Sequence, residues 1–444
     1  MRGIPVDGVS VAQLLTETDE HVGRLTVCAV IDYAGLIDTA AFVARFSSFY
    51  LSKGSRLGFK LCKTNGKWYW VDCPIKCSDH IVEYGSGSCG HAGKLDRRVD
   101  DAHNDSSGSS PGPTTSSIVQ GLFQAGLPLD RPPWKIVLSS CLSHTTAFFQ
   151  FHHSLADGVS LLSTFMAAVR VSSTEPPLPK TRQSVNPASS PSILTLLNLL
   201  LLRPDKSSSI RPPSRPLPSS PIYCAQQSVI DSRSGTPSLF QSVMQSTVES
   251  VQVGGDDFTI TTWVDLSDKQ SMADHSRDHH STSPVWGNSG LGAVYLRKSQ
   301  ISLAALHRRG LLFQAVVVNV MLKLLGWLSE YLPGMVKRLL LSMTDKASVS
   351  VSVLKGPEGV VEWPVLSRRD EKECEIVTMR GDDKGPFSVD KVTVFTAPLM
   401  RTGLMINVFS LAGRLNFGFT SSTLSKTELD ELSLRFLESM KRKR

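Results

Sequence analysis

The sequence predicts a mixed α/β protein made of two lobes with a cleft between them. Its 444 residues exceed the size at which one hydrophobic core usually stops growing, so two lobes of about 200 residues each are expected. Short β-prone segments flank an amphipathic helix in the first half, and a Pro- and Ser-rich stretch separates the halves. We therefore expect a first lobe at 1–171, a crossover linker at 172–221 and a second lobe at 222–444.

The composition fits a globular protein that binds anionic partners. The chain is 41% hydrophobic and 20% charged, which argues against disorder and against a protein with many membrane spans. A formal charge of +7 favours anionic lipid headgroups, the phosphates of coenzyme A or nucleic acid. Nucleic acid is the weakest of the three, because the basic residues form no tract with interleaved aromatics. We expect no nucleic-acid partner.

The cysteines do not predict a disulfide framework. Eight cysteines are unevenly spaced, and no N-terminal apolar segment resembles a secretory signal, so a reducing compartment is expected and secretion is not. A zinc cluster is the alternative, with its candidate ligands at Cys73, Cys77, His80, Cys89 and His91. Their spacing fits no standard ligand pattern, so unlinked thiols and no metal are favoured.

The first lobe is expected to combine a sheet with one aromatic-faced helix. Between 36 and 53, apolar side chains recur at helical spacing, among them Phe42, Phe46 and Tyr50. Segments 25–31, 57–61 and 68–71 are short, β-prone and bounded by turn residues, so they are predicted strands.

Three polar segments interrupt the pattern. Residues 85–117 are rich in Gly, Ser, Asp and His and are predicted to be a flexible insertion. Residues 172–221 hold the linker around an apolar island at 193–202, and 268–288 is a predicted flexible loop. That loop contains His275, His279 and His280, which lack an apolar flank and are interpreted as solvated.

Residues 311–328 form an almost wholly apolar segment. Its eighteen residues reach the lower limit for a membrane span, but a span here would place the two lobes on opposite sides of a bilayer. We favour a core or interface helix, and leave open a membrane-surface role for it and for 193–202.

The chemistry-bearing motif lies between a predicted strand and a predicted helix. Residues 145–151 are a buried-strand pattern, His152 and His153 follow, and Asp157 and Gly158 precede a helix predicted from the apolar spacing at 159–169. An imidazole with a pKa near neutrality can take a proton from a hydroxyl and return it to a leaving group. An isolated His pair is more often structural, but this context favours a site in which one His reacts and the other is structural. Asp157 either orients the reacting His or holds the loop, and Gly158 permits close backbone approach.

The motif and its surroundings resemble the bifunctional wax ester synthase/diacylglycerol acyltransferases, within the superfamily of chloramphenicol acetyltransferase-like and condensation enzymes. His152 to Gly158 match the pattern His-His-x-x-x-Asp-Gly, and 127–134 is similar to the family's "PLDRxxPLW" element. Further similarities follow in family order at 21–23, 79–81, 356–357, 403–415 and 427–441.

The resemblance implies two chloramphenicol acetyltransferase-like lobes with mixed sheets and an interfacial tunnel. It implies an acyl-CoA-dependent O-acyltransferase that makes wax ester or triacylglycerol, with His153 as general base and Asp157 mainly structural. Acyl-CoA would be a co-substrate, a long-chain alcohol or diacylglycerol the acceptor, and no cofactor or metal is needed. A neutral lipid product implies attachment to the endoplasmic reticulum membrane or lipid droplets, on the cytosolic face.

Two departures support a different class of function. The family's Asn-Asp pair falls at Ser238 and Leu239, and the Asn of its "SNVxGP" segment falls at Val353. Loss of these polar groups would suit altered acceptor choice, or a non-catalytic lipid-binding or scaffold protein of the same fold. A hydrolase is disfavoured because no Gly-x-Ser-x-Gly lies at a strand-to-helix turn.

Overall fold

In the computed structural model, the described residues form three β-sheets with helices packed against them. The structure describes residues 3–17, 25–51, 56–84, 114–141, 143–156, 170–172, 210, 221–230, 239–251, 258–265, 291–297, 301, 308–344, 347–357, 359–363, 387–398 and 402–443. The mixed α/β class predicted from the sequence is confirmed.

Helices and strands are interspersed along the described chain, and several strands follow one another directly. The α-helices of the described residues are α1 (Gly8–Thr16), α2 (Thr39–Tyr50), α3 (Cys77–His80), α4 (Thr115–Ala125), α5 (Leu239–Ser250), α6 (Arg308–Leu328), α7 (Pro333–Thr344) and α8 (Lys426–Arg442). The strands of the first half are β1 (Ile4–Pro5), β2 (Thr26–Ala34), β3 (Phe59–Thr64), β4 (Lys67–Asp72), β5 (Ile81–Glu83), β6 (Trp134–Ser140), β7 (His144–His152) and β8 (Arg170–Ser172). Those of the second half are β9 (Tyr223–Ile230), β10 (Thr259–Asp265), β11 (Leu291–Arg297), β12 (Val349–Lys355), β13 (Val360–Glu362), β14 (Ser388–Thr396), β15 (Leu404–Leu411) and β16 (Arg414–Ser421).

A seven-stranded sheet carries the motif near its middle. Its order is β5-β6-β7-β2-β14-β13-β8, and a separate three-stranded sheet has the order β1-β4-β3. In β7 every residue after the first is buried, which confirms the buried strand predicted there. Antiparallel pairing sets His152 opposite Thr26 on β2, so the motif begins at the edge where β7 ends and β2 starts.

Both faces of the seven-stranded sheet are covered. Helix α2 packs Phe42, Phe46 and Tyr50 onto one face, as its predicted aromatic stripe requires. Helix α4 covers the other face with Val119, Phe123 and neighbouring apolar residues. A sheet buried on both sides holds its strands rigidly, and so fixes the backbone at the end of β7.

A six-stranded sheet of order β11-β10-β12-β15-β16-β9 forms the second core, with α5 and α8 against it. Strands β15 and β16 are joined by Ala412 and Gly413, which have φ of 48° and 69°. Positive φ at both central residues is the requirement of the tight hairpin turn that matches strand twist. The strand pair and the closing helix expected at 403–415 and 427–441 are therefore present.

The chain returns from the second sheet to the first. Strands β13 and β14 lie in the second half of the sequence but pair with β8 and β2 of the seven-stranded sheet. The lobe boundaries at 171 and 222 stay a prediction, because most of the linker lies outside the described residues. Residues 360–362 and 388–396 lie in the predicted second lobe, and they contribute β13 and β14 to the seven-stranded sheet.

One predicted boundary is wrong. The sequence predicts that the flexible insertion extends to residue 117, but Thr114 caps helix α4 through its side-chain oxygen and 115–117 form the first turn. Ser and Thr are common in loops and equally suited to helix N-termini, which explains the error. Residues 85–113, the loop at 268–288, the apolar island at 193–202 and the helix predicted at 159–169 lie outside the described residues.

Helices α1, α6 and α7 form a separate apolar cluster with Tyr295 of β11. The predicted helix at 311–328 is confirmed as part of α6. Within the described ranges, no helix is long and apolar enough to cross a membrane.

Candidate active site

The His pair stands where β7 ends. His152 is the last residue of the strand, and the backbone N–H of His153 donates to the carbonyl oxygen of Leu25 at 2.8 Å. The backbone N–H of His152 donates to the carbonyl oxygen of Pro133 at 2.9 Å. The peptide groups of both histidines are thus fixed to the neighbouring strand ends, and their side chains start from a rigid base.

His152 is fully buried and has buried partners at both ring nitrogens. Its Nε2 lies 3.1 Å from Oε1 of Glu17, and its Nδ1 lies 2.7 Å from Oγ of Ser154. The backbone N–H of Ser154 donates to the same Nδ1 at 3.2 Å. Since Nδ1 accepts, the ring N–H is at Nε2 and donates to the Glu17 carboxylate. The contacts hold this ring in one orientation and one tautomer.

Glu17 joins three elements through one oxygen. It is the residue that ends α1, and its side chain is 6% exposed. Its Oε1 accepts from the backbone N–H of Leu25 at 2.7 Å as well as from His152. A buried carboxylate needs such donors to compensate for lost hydration. Glu17 therefore ties α1 to the start of β2 and the end of β7.

His153 is half-buried and contacts the same helix. Nε2 of Gln13 lies 3.0 Å from its Nδ1. Gln13 and Glu17 are four residues apart, a spacing that places both side chains on one helix face. One face of α1 thus meets both histidines, with the amide on His153 and the carboxylate on His152.

The first turn of α1 is fixed to the same segment. Oγ of Ser10 lies 3.1 Å from the carbonyl oxygen of Ser154 and 2.7 Å from Oδ2 of Asp7, which caps the helix. Asp7 in turn lies 3.6 Å from a guanidinium nitrogen of Arg56. Helix α1 is therefore anchored on residues 152–154 at Ser10, Gln13 and Glu17.

The two remaining residues of the motif, Asp157 and Gly158, lie outside the described residues, so their predicted roles stay predictions. Ser10, Gln13 and Glu17 also belong to the site, although no motif in the sequence indicates them. The available signal was the pair of polar residues four apart on a helix that is otherwise mostly apolar. Nothing local, however, indicates that their partners lie about 140 residues away.

The zinc alternative gains no support from the geometry. Among the described residues, no three His, Cys, Asp or Glu side chains are grouped as metal ligands. His80 is buried, stacks on Trp134 and lies 2.9 Å through Nδ1 from the carbonyl oxygen of that residue. Cys89 and His91 lie outside the described residues.

Val353 occupies the position expected for a family asparagine. It lies in β12, partly buried, and faces Val408 of β15 in the parallel register. An apolar pair therefore occupies this level of the six-stranded sheet. Leu239, the other described position of departure, begins helix α5, where the family's second-lobe helix is expected.

The predicted resemblance is confirmed in sequence and in fold. No protein family model matches the chain. "Wax ester synthase/diacylglycerol acyltransferase 3" from Arabidopsis thaliana is 29% identical over 131 residues, which are 29% of this chain and 23% of that protein. The matched region thus spans under a quarter of this relative's length.

Solved structures establish the fold over nearly the whole chain. A wax ester synthase/diacylglycerol acyltransferase from Marinobacter aquaeolei VT8 is similar with a TM-score of 0.56 and 13% identity, covering 99% of both chains. The starter condensation domain of rhizomide synthetase, in complex with C8-CoA and Leu-SNAC, gives 0.55 at 10% identity over 99% of this chain and 94% of that chain. The first condensation domain of the calcium-dependent antibiotic synthetase gives 0.53 at 13% identity over 99% and 96%. The chain shares the mixed α/β fold of these proteins.

Proposed function

We propose that this protein is an acyl-CoA-dependent O-acyltransferase with His153 as its general base. The acceptor is a long-chain alcohol or diacylglycerol, and the product is a wax ester or triacylglycerol. The observation that carries the proposal is the unequal environment of the two histidines. His152 is enclosed and bonded to Glu17, whereas His153 is half-buried at the end of the same strand with Gln13 on its Nδ1.

In the proposed reaction His153 moves one proton. Nε2 takes the proton from the acceptor hydroxyl while the oxygen attacks the thioester carbonyl, forming a C–O bond and a tetrahedral oxyanion. The oxyanion collapses, the C–S bond breaks, and the imidazolium returns the proton to the thiolate of coenzyme A. Acyl-CoA and the acceptor alcohol are consumed, and the ester and the free thiol of coenzyme A are formed. No cofactor or metal enters these steps.

Gln13 is proposed to position the base. Proton transfer at Nε2 requires the other proton of the imidazolium on Nδ1, and a side-chain amide meets this need with its oxygen turned to Nδ1. The oxygen and nitrogen of an amide differ little in size, so a 180° turn exchanges the two atoms and leaves the outline of the side chain unchanged. Glu17 and His152 do not contact the reacting atoms in this proposal. They fix the end of β7, from which His153 projects. Asp157 keeps the mainly structural role that the family resemblance implies, and Gly158 is proposed to permit close backbone approach.

Acyl-CoA is the best supported substrate. A condensation domain of the same fold was solved in complex with C8-CoA. The net charge of +7 on this chain also favours binding of the phosphates of coenzyme A. The lipid acceptor and the location at the endoplasmic reticulum membrane or lipid droplet, on the cytosolic face, rest on the family resemblance.

The test compares purified protein with its His153→Ala variant on palmitoyl-CoA plus hexadecanol or diolein. Free thiol and ester product are measured together. We expect ester from the wild type, and a loss of about 10²- to 10⁴-fold in the variant, which is the usual contribution of a general base. His144→Ala is the matched control, because His144 is exposed at the opposite end of the same strand. If the folded wild type makes no ester with either acceptor, the non-catalytic lipid-binding function replaces this proposal.

The role of Gln13 has its own readout. Gln13→Glu keeps an oxygen acceptor for Nδ1–H and adds a negative charge, which favours the imidazolium of His153 and raises its pKa. The acid limb of kcat/KM against pH should then move to higher pH. Gln13→Leu should lower kcat without that displacement. An unchanged pH profile for Gln13→Glu, in a folded and active protein, would remove Gln13 from the mechanism.

A further inference from the structure

The most exposed apolar side chains of the described chain are concentrated in one helical hairpin, formed by α6, residues 329–332 and α7. Eleven large apolar residues are strongly exposed, and eight of them lie in this hairpin. They are Val316, Val320, Leu324, Trp327, Tyr331, Leu332, Met335 and Leu339. Scattered exposed apolar residues are normal, whereas such a concentration marks an interaction surface.

These residues form the outer face of the hairpin. On α6 the exposed residues recur every three or four positions, from Val316 to Trp327, which is the spacing of one helix face. The opposite faces of α6 and α7 are buried with Ala12 of α1. At the crossing a Cβ on Gly326 would lie 2.2 Å from the carbonyl oxygen of Gly8, so α6 and α1 touch backbone to backbone. The exposed apolar face therefore points away from α1.

The hairpin is basic as well as apolar. Residues 308–344 contain five Lys or Arg and one acidic residue, Glu330. Glu330 is paired with Lys67 at 2.6 Å. Lys323 and Arg338 are exposed among the apolar residues. The surface thus combines apolar side chains with positive charge and offers its one carboxylate to a neighbour in the same chain.

The turn of the hairpin carries an aromatic pair. The rings of Trp327 and Tyr331 lie 5.3 Å apart, and 55% of Trp327 is exposed. Trp and Tyr are favoured at the boundary between lipid headgroups and acyl chains, because each has an apolar body and a polar group. Basic residues beside them attract anionic headgroups.

We propose that this face docks on an anionic phospholipid membrane, with α6 and α7 lying in the interface. A second copy of the chain fits less well, since two such faces would oppose like charges around Lys323 and Arg338. The proposal goes beyond the catalytic one and stands without it, because it concerns binding alone. If both hold, α6 and α1 together separate the docked face from His153, by about two helix diameters or roughly 20 Å. A lipid acceptor would then cross about that distance from the membrane to the base.

The experiment is vesicle flotation of the full chain without substrate. Vesicles contain phosphatidylcholine alone or mixed with phosphatidylserine. Leu324→Glu tests the apolar face, and Leu434→Glu on α8 is its matched control, since both leucines are 52% exposed. We expect Leu324→Glu to lower binding by about 10-fold or more, because a charge replaces a side chain in the acyl region, and Leu434→Glu to leave it unchanged.

A second variant tests the charges. Lys323→Gln with Arg338→Gln should lower binding to the anionic vesicles by about five-fold per residue and change binding to neutral vesicles little. Equal binding of Leu324→Glu and Leu434→Glu would overturn the proposal, and so would a wild type that does not float with anionic vesicles. A wild-type dimer in light scattering that Leu324→Glu converts to monomers, without an effect on flotation, would assign the face to a second copy. Ester formation in detergent is measured separately, so a failure of catalysis and a failure of docking are distinguishable.

Discussion

Removal of the Glu17 carboxylate should destabilise the whole motif. In Glu17→Ala the backbone N–H of Leu25 and Nε2–H of His152 lose the oxygen that now accepts both of them. His152 is 0% exposed, so bulk water does not reach its Nε2–H, and only a water bound in the vacated space could replace the lost acceptor. One unsatisfied buried donor costs about 1–3 kcal/mol, and two give about 2–6 kcal/mol in the free energy of unfolding. Glu17→Gln keeps an oxygen at this place and should cost about 1–2 kcal/mol, because a neutral acceptor replaces a charged one.

Urea unfolding followed by tryptophan fluorescence measures this difference. The free energy of unfolding is compared among the wild type, Glu17→Ala, Glu17→Gln and the control Glu431→Ala. The comparison requires that its dependence on urea concentration is the same in all four proteins. Glu431 is exposed and lies 3.8 Å from Arg435 in a surface pair, so its loss should cost about 0.5 kcal/mol or less. Glu17→Ala within about 0.5 kcal/mol of the wild type would refute the argument that one buried oxygen joins α1, β2 and β7. Glu17→Gln as harmful as Glu17→Ala would show that the charge, and not the hydrogen bonding, is needed.

Three further predictions concern packing, pH and capping. Gly326→Ala should lower the melting temperature, because its Cβ would lie 2.2 Å from a backbone oxygen, at a cost of about 1–3 kcal/mol; Gly334→Ala, with nothing within 4 Å, should not. Burial lowers the pKa of His80 below its ordinary 6.5, so the stability it contributes is present above pH 6.5 and is lost as pH falls through the lowered pKa. His80→Asn should therefore flatten the fall in melting temperature between about pH 7 and pH 5, and an unchanged slope would contradict the assignment. Ser425→Ala should cost about 1 kcal/mol in urea unfolding, since it removes the capping box of α8; no change would mean that the cap is not needed there.

Local pattern was sufficient for the elements that bracket the motif. The run of apolar residues after Thr145 predicted a buried strand, and β7 is buried from its second residue to His152. The aromatic spacing in 36–53 predicted α2, and the apolar segment at 311–328 predicted α6. These signals are periodic within a few residues, so the sequence alone carries them.

The outer face of α6 shows where local pattern is insufficient. Its sequence is apolar nearly all round, which is compatible with a core helix, a surface helix or a span. Packing against α1 decides which residues are buried and which are exposed. Because Val318 and Leu325 face α1, Val320 and Leu324 remain exposed with Lys323 between them.

The sequence by itself determined the α/β class, the position of the His pair after a buried strand and the family resemblance. Only the tertiary structure decided that His152 is the enclosed member, that Gln13 and Glu17 of one helix hold the pair, and that β14 joins the sheet of the first half. The physical reason is distance along the chain. Glu17 and His152 are 135 residues apart, and their hydrogen bond exists only after β2, β7 and α1 have packed together.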